Sequence, residues 1–408
     1  MRRLLVILTM IIYLSCSVKA QERTDSVSVC DDGGDLVVSL VTCDPGPDVY
    51  ELCGHAAIRI RNEKMDSVWN YGIFDFTSPN FVGRFVKGET DYMVYGYDFV
   101  RFMPVYVRRG SKVVEQVLDL TQEEARRLRS LLQVESRPEN RVYRYNYVRD
   151  NCATRPWERV RQAVSRPIEL PDSLHFATYR EEMRHFHRNY PWYQFGIDLV
   201  LGSGLDYPLE RDEDIFAPPV LAAKLADGTI GSGSLVKAEN VIYPGRGDVT
   251  LPPTSWILSP MAVGIFMLLL SFGALFAWVY RESLWRWWIF LYFFAIGIAG
   301  CVVAFLVFFS EHEATSPNVL VVWLNPLQLL VAVGIWFRSW RRLLAFAGIY
   351  NVCMTLLLCL LVPLHVIDRA VNPAVWPMLI CLVPLCFVLY DRAFPGHIGL
   401  KKLHGLKK

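Results

Sequence analysis

Charge is missing from the apolar half of this chain. Five long hydrophobic runs, near residues 256–280, 287–309, 319–337, 343–364 and 374–390, hold no Asp, Glu, Lys, Arg or His. Pumps and coupled transporters need ionisable groups at membrane depth. With only the amides Asn325, Gln328 and Asn351 there, the runs are expected to anchor and orient rather than transport. A charge excess of either sign is also missing: 42 Lys and Arg stand against 40 Asp and Glu. The net charge of +2 is itself uninformative, and no nucleic-acid partner is expected. There is no internal repeat and no low-complexity tract. Residues 21–250 hold only four cysteines and four histidines. Neither a metal set nor a cofactor is expected.

What is present divides the chain. Residues 1–20 have Arg2 and Arg3, an apolar run, and then Val18-Lys19-Ala20. That is the pattern of a secretory signal with cleavage after Ala20, the rival being an uncleaved anchor. Cys16 suggests a lipoprotein signal, but Tyr13 fits that recognition poorly. Each apolar run after residue 255 is about long enough to cross a bilayer. Arg281 and Arg286 lie between the first two, and Arg338, Arg341 and Arg342 between the third and fourth. The tail adds Arg392, Lys401, Lys402, Lys407 and Lys408, while the other connections carry Glu311, Glu313 and Asp368 with Arg369. Basic loops stay in the cytoplasm. Five crossings therefore put residues 21–250 outside, with residues 251–395 as the membrane domain and 396–408 as a basic cytoplasmic tail. Trp256, Trp285, Trp287, Trp288, Trp336 and Trp376 fall near span ends, where an interfacial belt places them.

The outer part has the pattern of an α+β domain. Residues 35–43 read as a buried strand, and 55–61 and 67–74 as the arms of a hairpin turning at 62–66. Residues 92–99 and 112–120 alternate as further strands. Thr121-Gln-Glu-Glu124 is a capping box that opens a helix to about 134. Helices are also expected over 152–164, 172–189 and 193–201, the last closed by Gly202 and Gly204. Residues 207–253, rich in Pro and Gly, read as a packed loop leading to the membrane.

Of the outer cysteines, Cys30, Cys43 and Cys53 cluster, and Cys152 stands about a hundred residues later. Two disulfides are the structural reading, with Cys30–Cys43 the expected pair. Cys152 has a second reading. A thiol at a helix N-terminus meets the positive end of the dipole, which lowers its pKa, and the unpaired N–H groups there can hold an oxyanion. Asp150 or Asn151 can instead cap the helix and leave Cys152 incidental. His175, His185 and His187 sit on a charged helix. His55 follows Gly54 and opens an apolar strand, where an imidazole has little structural reason to stand. A His at a strand start facing a Cys at a helix start is the pair that thiol acyl transfer needs. The ring needs an orienting group. Asn70 on the return arm and Glu51 are the candidates.

"ELCGHAAIRI", "VWNYGIFDF", "ENRVYRYNYVRDNCATR" and "FGIDLVLGSGLD" together resemble the outer domain of the Lnb-type lipoprotein N-acyltransferases, over about residues 36–220. The His-before-Cys order also resembles permuted NlpC-type peptidases and lecithin:retinol acyltransferase. The resemblance implies a papain-like periplasmic domain on a membrane anchor in the bacterial inner membrane, with His55 and Cys152 in the family's His and Cys positions. Relatives carry a second histidine on the return strand, where this chain has Asn70. The implied reaction moves an acyl chain from membrane phospholipid through a Cys152 thioester to the free α-amine of a lipoprotein's N-terminal cysteine. Arg141, Arg144, Arg149 and Arg155 are candidates for the lipid phosphate, against the alternative of solvated or paired arginines. Tyr71, next to Asn70, is a further candidate substrate contact. Two rivals remain: a cell-wall cysteine amidase or peptidase using the same pair, and a non-enzymatic sensor or assembly factor whose Cys152 is disulfide-bonded.

Overall fold

The computed structural model describes residues 34–394, apart from 75–78, 90, 173–174, 211–212, 278–280 and 364–370. The signal expected over 1–20, Cys30, the Asp368–Arg369 connection and the lysines of the tail therefore lie outside the described residues. β-Branched and aromatic residues at alternate positions form the strands β1 (Val37–Cys43), β2 (His55–Arg61), β3 (Asp66–Ile73), β4 (Asp91–Asp98), β5 (Val113–Leu118) and β6 (Val142–Arg144). A last strand, β7 (Val236–Tyr243), completes one seven-stranded sheet of order β7-β5-β1-β2-β3-β4-β6, antiparallel throughout. The β2–β3 turn closes where the sequence predicts it, because the Asn62 side chain accepts the N–H groups of Lys64 and Met65. Residues 207–253 are more than a loop: they supply β7 and a helix.

Among the described residues seven α-helices accompany the sheet: α1 (Phe81–Lys87), α2 (Phe99–Arg109), α3 (Gln122–Glu135), α4 (Thr154–Ala163), α5 (Tyr179–Phe186), α6 (Pro191–Val200) and α7 (Pro218–Ala226). On one face, Leu40, Ile58, Ile60, Trp69 and Tyr71 pack with Leu128, Trp157 and Leu221 of α3, α4 and α7. On the other, Val41, Cys43, Ala57 and Val68 pack with Phe99, Phe102 and Tyr106 of α2. Each fully buried Val, Leu, Ile or Phe contributes about 1.5–3 kcal/mol, so the two faces fix the strand register. The predicted capping box on α3 is present in both directions. Two other starts differ from expectation. α4 begins at Thr154, because Asn151 binds the N–H groups of Ala153 and Thr154 and holds Cys152 in the preceding turn. α5 begins at Tyr179, where the Thr178 hydroxyl accepts the N–H of Glu181.

Beyond residue 255 come α8 (Pro260–Ala277), α9 (Glu282–Phe308), α10 (Gln328–Gly334), α11 (Arg341–Leu361), α12 (Val375–Ile380) and α13 (Leu382–Ala393). Among the described residues four helical segments are long and apolar enough to cross a membrane, the last formed by α12 and α13 together. The third apolar run is not one continuous helix. It is a 3-10 turn over Val319–Val322, a bend at Asn325-Pro326, and then only the seven residues of α10. It still runs antiparallel to α9. Gly300 lies against Asn325, Gly297 against Leu329, and the Trp287 ring 4.7 Å from that of Trp336. A Cβ on Gly300 would fall 2.4 Å from the Asn325 nitrogen, so only glycine admits this approach. Two of the three amides expected at depth satisfy each other, Gln328 and Asn351 being bonded side chain to side chain at 2.8 and 3.3 Å, while Asn325 donates to the Val322 carbonyl.

Helix α6 is one place where the two parts join. Phe195 of α6 belongs to the core of the membrane bundle, and Trp192 donates to the Leu258 carbonyl at 2.7 Å. Asp198 accepts from Asn372 at 2.9 Å, and Asn318 donates to the Leu199 carbonyl at 2.9 Å. Gly202 and Ser203 donate to the carbonyls of Ala314 and Pro317. Arg180, fully buried, clamps Asp198 and Asp206 beneath this joint.

Candidate active site

Gly54 places His55. Its φ is +77°, and a Cβ there would fall 2.6 Å from the Cys43 carbonyl, so the bend that delivers the chain into β2 requires glycine. Antiparallel register sets Ala57 opposite Asn70, and His55 is the diagonal neighbour on the same face. His55 Nε2 meets Asn70 Oδ1 at 2.6 Å, while Asn70 Nδ2 donates to the Tyr97 hydroxyl at 2.8 Å. With its NH2 committed to Tyr97, Asn70 presents its carbonyl, so the proton of the neutral imidazole sits on Nε2. Nδ1 is left as the basic atom.

The imidazole is packed against Phe102 and Tyr106, stacked on the latter at 6.2 Å. Burial lowers its pKa to about 4; the Asn70 bond opposes this, and the Arg109 cation adds to it. Glu51, the rival orienting group, is bound to Arg109 at 2.5 Å, and Arg109 lies over the Tyr106 ring. Glu51 therefore stands two side chains behind the imidazole. Asn70 is the residue in contact.

Cys152 is held by its predecessor. Asn151, 3% exposed, donates to the carbonyls of Tyr147 and Phe216 and accepts from Ala153 and Thr154. The thiol receives the backbone N–H of Ala56, the residue after His55, and that of Cys152 itself. Burial nevertheless pushes it up to about 11. The dipole-activated thiolate expected from a helix start is corrected accordingly: the helix begins two residues later, and desolvation outweighs the two N–H groups. At rest the thiol is protonated and lies on the N–H of Ala56, the residue that follows the neutral imidazole in the chain. Cys152 is a free thiol, and so is Cys43, fully buried on β1 at the register position opposite His55. The expected Cys30–Cys43 disulfide is thus not supported at its described end. Cys53, also free, meets the Tyr147 hydroxyl at 3.4 Å.

The other candidates scatter. Tyr71 is fully buried on the opposite face of the sheet, donating to Glu135 at 2.7 Å, which removes it from the site because alternation turns it away from Asn70. Arg155 is committed to Glu135 and Asp150. Arg141 lies over the Tyr95 ring, and Arg144, exposed, donates to the Gly88 carbonyl at 3.1 Å. Arg149 reaches Glu313 at 3.4 Å, in the loop that follows α9. Sequence reasoning missed the aromatic wall. Tyr92, Tyr143 and Tyr145 lie close enough to Cys152 to feel its charge, and Tyr193 of α6 lies close enough to Cys53 and Tyr92. Burial raises all four phenols. Among the described residues no group of His, Cys, Asp and Glu is arranged to hold a metal ion.

Two family models match. Residues 30–184 match the one described as Lnb N-terminal periplasmic domain, and residues 252–391 the one described as Lnb transmembrane domain. Together they cover well over half of the chain. Comparison with curated proteins and with solved structures returns no match.

Proposed function

We propose, from the premise that this chain belongs to the Lnb family, that it is a lipoprotein N-acyltransferase working through Cys152. The observation that carries the reading is the position of the thiol, held on the N–H of the residue that follows His55. It lies under a tyrosine wall that includes α6, the helix whose Trp192 and Phe195 engage the membrane bundle. A soluble cell-wall substrate gains nothing from that address. Two lipid-borne substrates reach it by diffusion in the plane of the membrane.

In the first step His55 Nδ1 takes the thiol proton as sulfur attacks the phospholipid ester carbon. The N–H groups of Ala56 and Cys152, which lie on the sulfur, are the donors near the developing oxyanion. Collapse breaks the carbon–oxygen bond, His55 returns the proton to the leaving oxygen, and a lysophospholipid departs. In the second step the free α-amine of a lipoprotein's terminal cysteine attacks the thioester. His55 takes the amine proton and returns it to sulfur, leaving an amide and the starting thiol. The buried surroundings keep water from the thioester in between. Because the thiol is protonated at rest, sulfur is activated only as the ester arrives.

The test is intact-protein mass spectrometry of the full chain in phospholipid vesicles without acceptor. The expected result is a gain of one acyl chain, released by hydroxylamine and absent in Cys152→Ala. Adding a diacylglyceryl-cysteine peptide should discharge it to the N-acyl product. No adduct, or cleavage of cell-wall peptides by the same protein, overturns the reading.

A further inference from the structure

We infer that a file of aromatic rings running from the thiol to α1 is the track along which a phospholipid acyl chain leaves the bilayer and lies in the site. The inference rests on the acyl-transfer reading above. Its first ring is beside the nucleophile: a Cβ on Gly72 would sit 3.6 Å from both the Cys152 Cβ and the Tyr145 ring. Tyr145 stacks on Tyr92 at 4.1 Å between centroids, and Tyr92 meets Phe74 at 5.0 Å. Phe74 stacks on Phe81 at 6.0 Å, and Phe81 on Phe85 at 6.1 Å. Each ring is in contact with the next, and the far end is not in the domain core.

That far end lies at the membrane. α1 carries Phe81, Val82, Phe85 and Val86, yet none of its residues is buried, and Val82 and Phe85 are 66% and 46% exposed. A soluble surface seldom leaves so apolar a helix uncovered. The helix is pinned to the segment that follows α9. Glu311 donates to the Lys87 carbonyl at 2.7 Å, Ser310 to that of Val86 at 2.9 Å, and His312 Nε2 meets the Phe85 carbonyl at 2.7 Å. At the end of α9, Phe308 and Phe309 are equally bare. Lipid covers all of them when α1 rests in the interfacial layer, with Arg84 and Lys87 of its last turn toward the headgroups. A chain drawn from that layer onto the rings stays out of water along its length, and its ester end arrives at Cys152. Each methylene that a gap in the track would expose to water costs roughly fourfold in affinity, so a broken track penalises long chains more than short ones.

The test uses the full chain and reads the Cys152 thioester formed from dipalmitoyl and from dihexanoyl phosphatidylcholine. Phe85→Ser should lower the ratio of long-chain to short-chain acylation about tenfold, and Phe85→Leu should keep the wild-type ratio. A ratio unmoved by Phe85→Ser, or lowered as much by Phe85→Leu, overturns the track while leaving acyl transfer standing. Wild-type protein acylated by neither lipid overturns acyl transfer and the track with it. Independently, a phosphatidylcholine with a diazirine in its acyl chain should crosslink to residues 81–87 of full-length Cys152→Ala; labelling confined to α8–α13 overturns the track.

Discussion

With the Nε2 proton committed to the Asn70 carbonyl and the ring stacked on Tyr106, His55 keeps one basic atom, Nδ1, and cannot turn it away. Asn70→Ala releases that constraint without removing an apolar contact from the core. We expect kcat to fall by roughly a hundredfold, the lower end of what general-base catalysis contributes, with KM little changed. Glu51→Gln should have the milder effect, because it acts only through Arg109 and Tyr106. The reverse order in steady-state kinetics would remove Asn70 from its role. The same burial makes a pH prediction. Since the folded imidazole titrates near 4 and an ordinary one near 6.5, His55 stays neutral and competent down to about pH 4. The acid limb of kcat/KM should therefore lie near 4. In the unfolded chain the ring takes its proton near 6.5, so stability is lost as pH falls from 6.5 toward 4. On the sulfur, a pKa near 11 leaves roughly a hundredfold less thiolate at pH 7 than an ordinary cysteine has. Iodoacetamide should thus label Cys152 more slowly than a denatured control, and faster labelling would restore the dipole-activated thiolate.

At the scale of elements, alternation made four strands readable and an unbroken apolar run made β1 readable, because each has one face or both in a core. Strand β7 was not readable. It lies at the sheet edge with Lys237, Glu239 and Asn240 exposed, so no apolar period marks it. Helix α2 was hidden for another reason: Pro104 stands inside it, and its Val and Phe residues mimic a continuation of β4. This concealed the floor under His55, since Phe102 and Tyr106 come from α2. The Cys, the His and the return-arm Asn could be proposed because each is a residue type that its local pattern does not require. Asn151 was seen only as a possible cap. The structure gives it a larger part, as its amide ties the Cys152 turn to Tyr147 and Phe216 while capping α4. Asn151→Ala leaves buried donors and carbonyls without partners, a cost of about 2–4 kcal/mol. It should lower the thermal midpoint in detergent and abolish thioester formation together, whereas Asn70→Ala should affect turnover alone. An Asn151→Ala protein of wild-type stability would mean that the turn is held by other contacts.

For the molecule as a whole, the question is whether a segment with no continuous spanning helix still carries the chain across. Hydropathy does not register the break at Asn325-Pro326, which is why residues 319–337 read as an ordinary span. The contacts at its two ends argue for a full passage. At one end Asn318 binds α6 and Pro317 binds Ser203, on the side of the outer domain. At the other, Arg392 donates to the Ile335 carbonyl beside Glu282, and Trp336 packs on Trp287. The two ends thus match the opposite ends of α9, a helix of 27 residues and, at 1.5 Å each, about 40 Å long. Irregular backbone at depth is tolerated where protein rather than lipid surrounds it, and α9 and α11 flank this stretch. The expectation is five passages, with Glu311 outside and Ser339 inside. Glu311→Cys in intact cells should react with a membrane-impermeant maleimide, and Ser339→Cys only after permeabilisation. Both positions are exposed, so neither change disturbs a core. Labelling of both from outside would make residues 318–338 a re-entrant hairpin. The crossings would then be even in number, and α11 and the basic residues around Arg341 would have to be reoriented against the positive-inside rule.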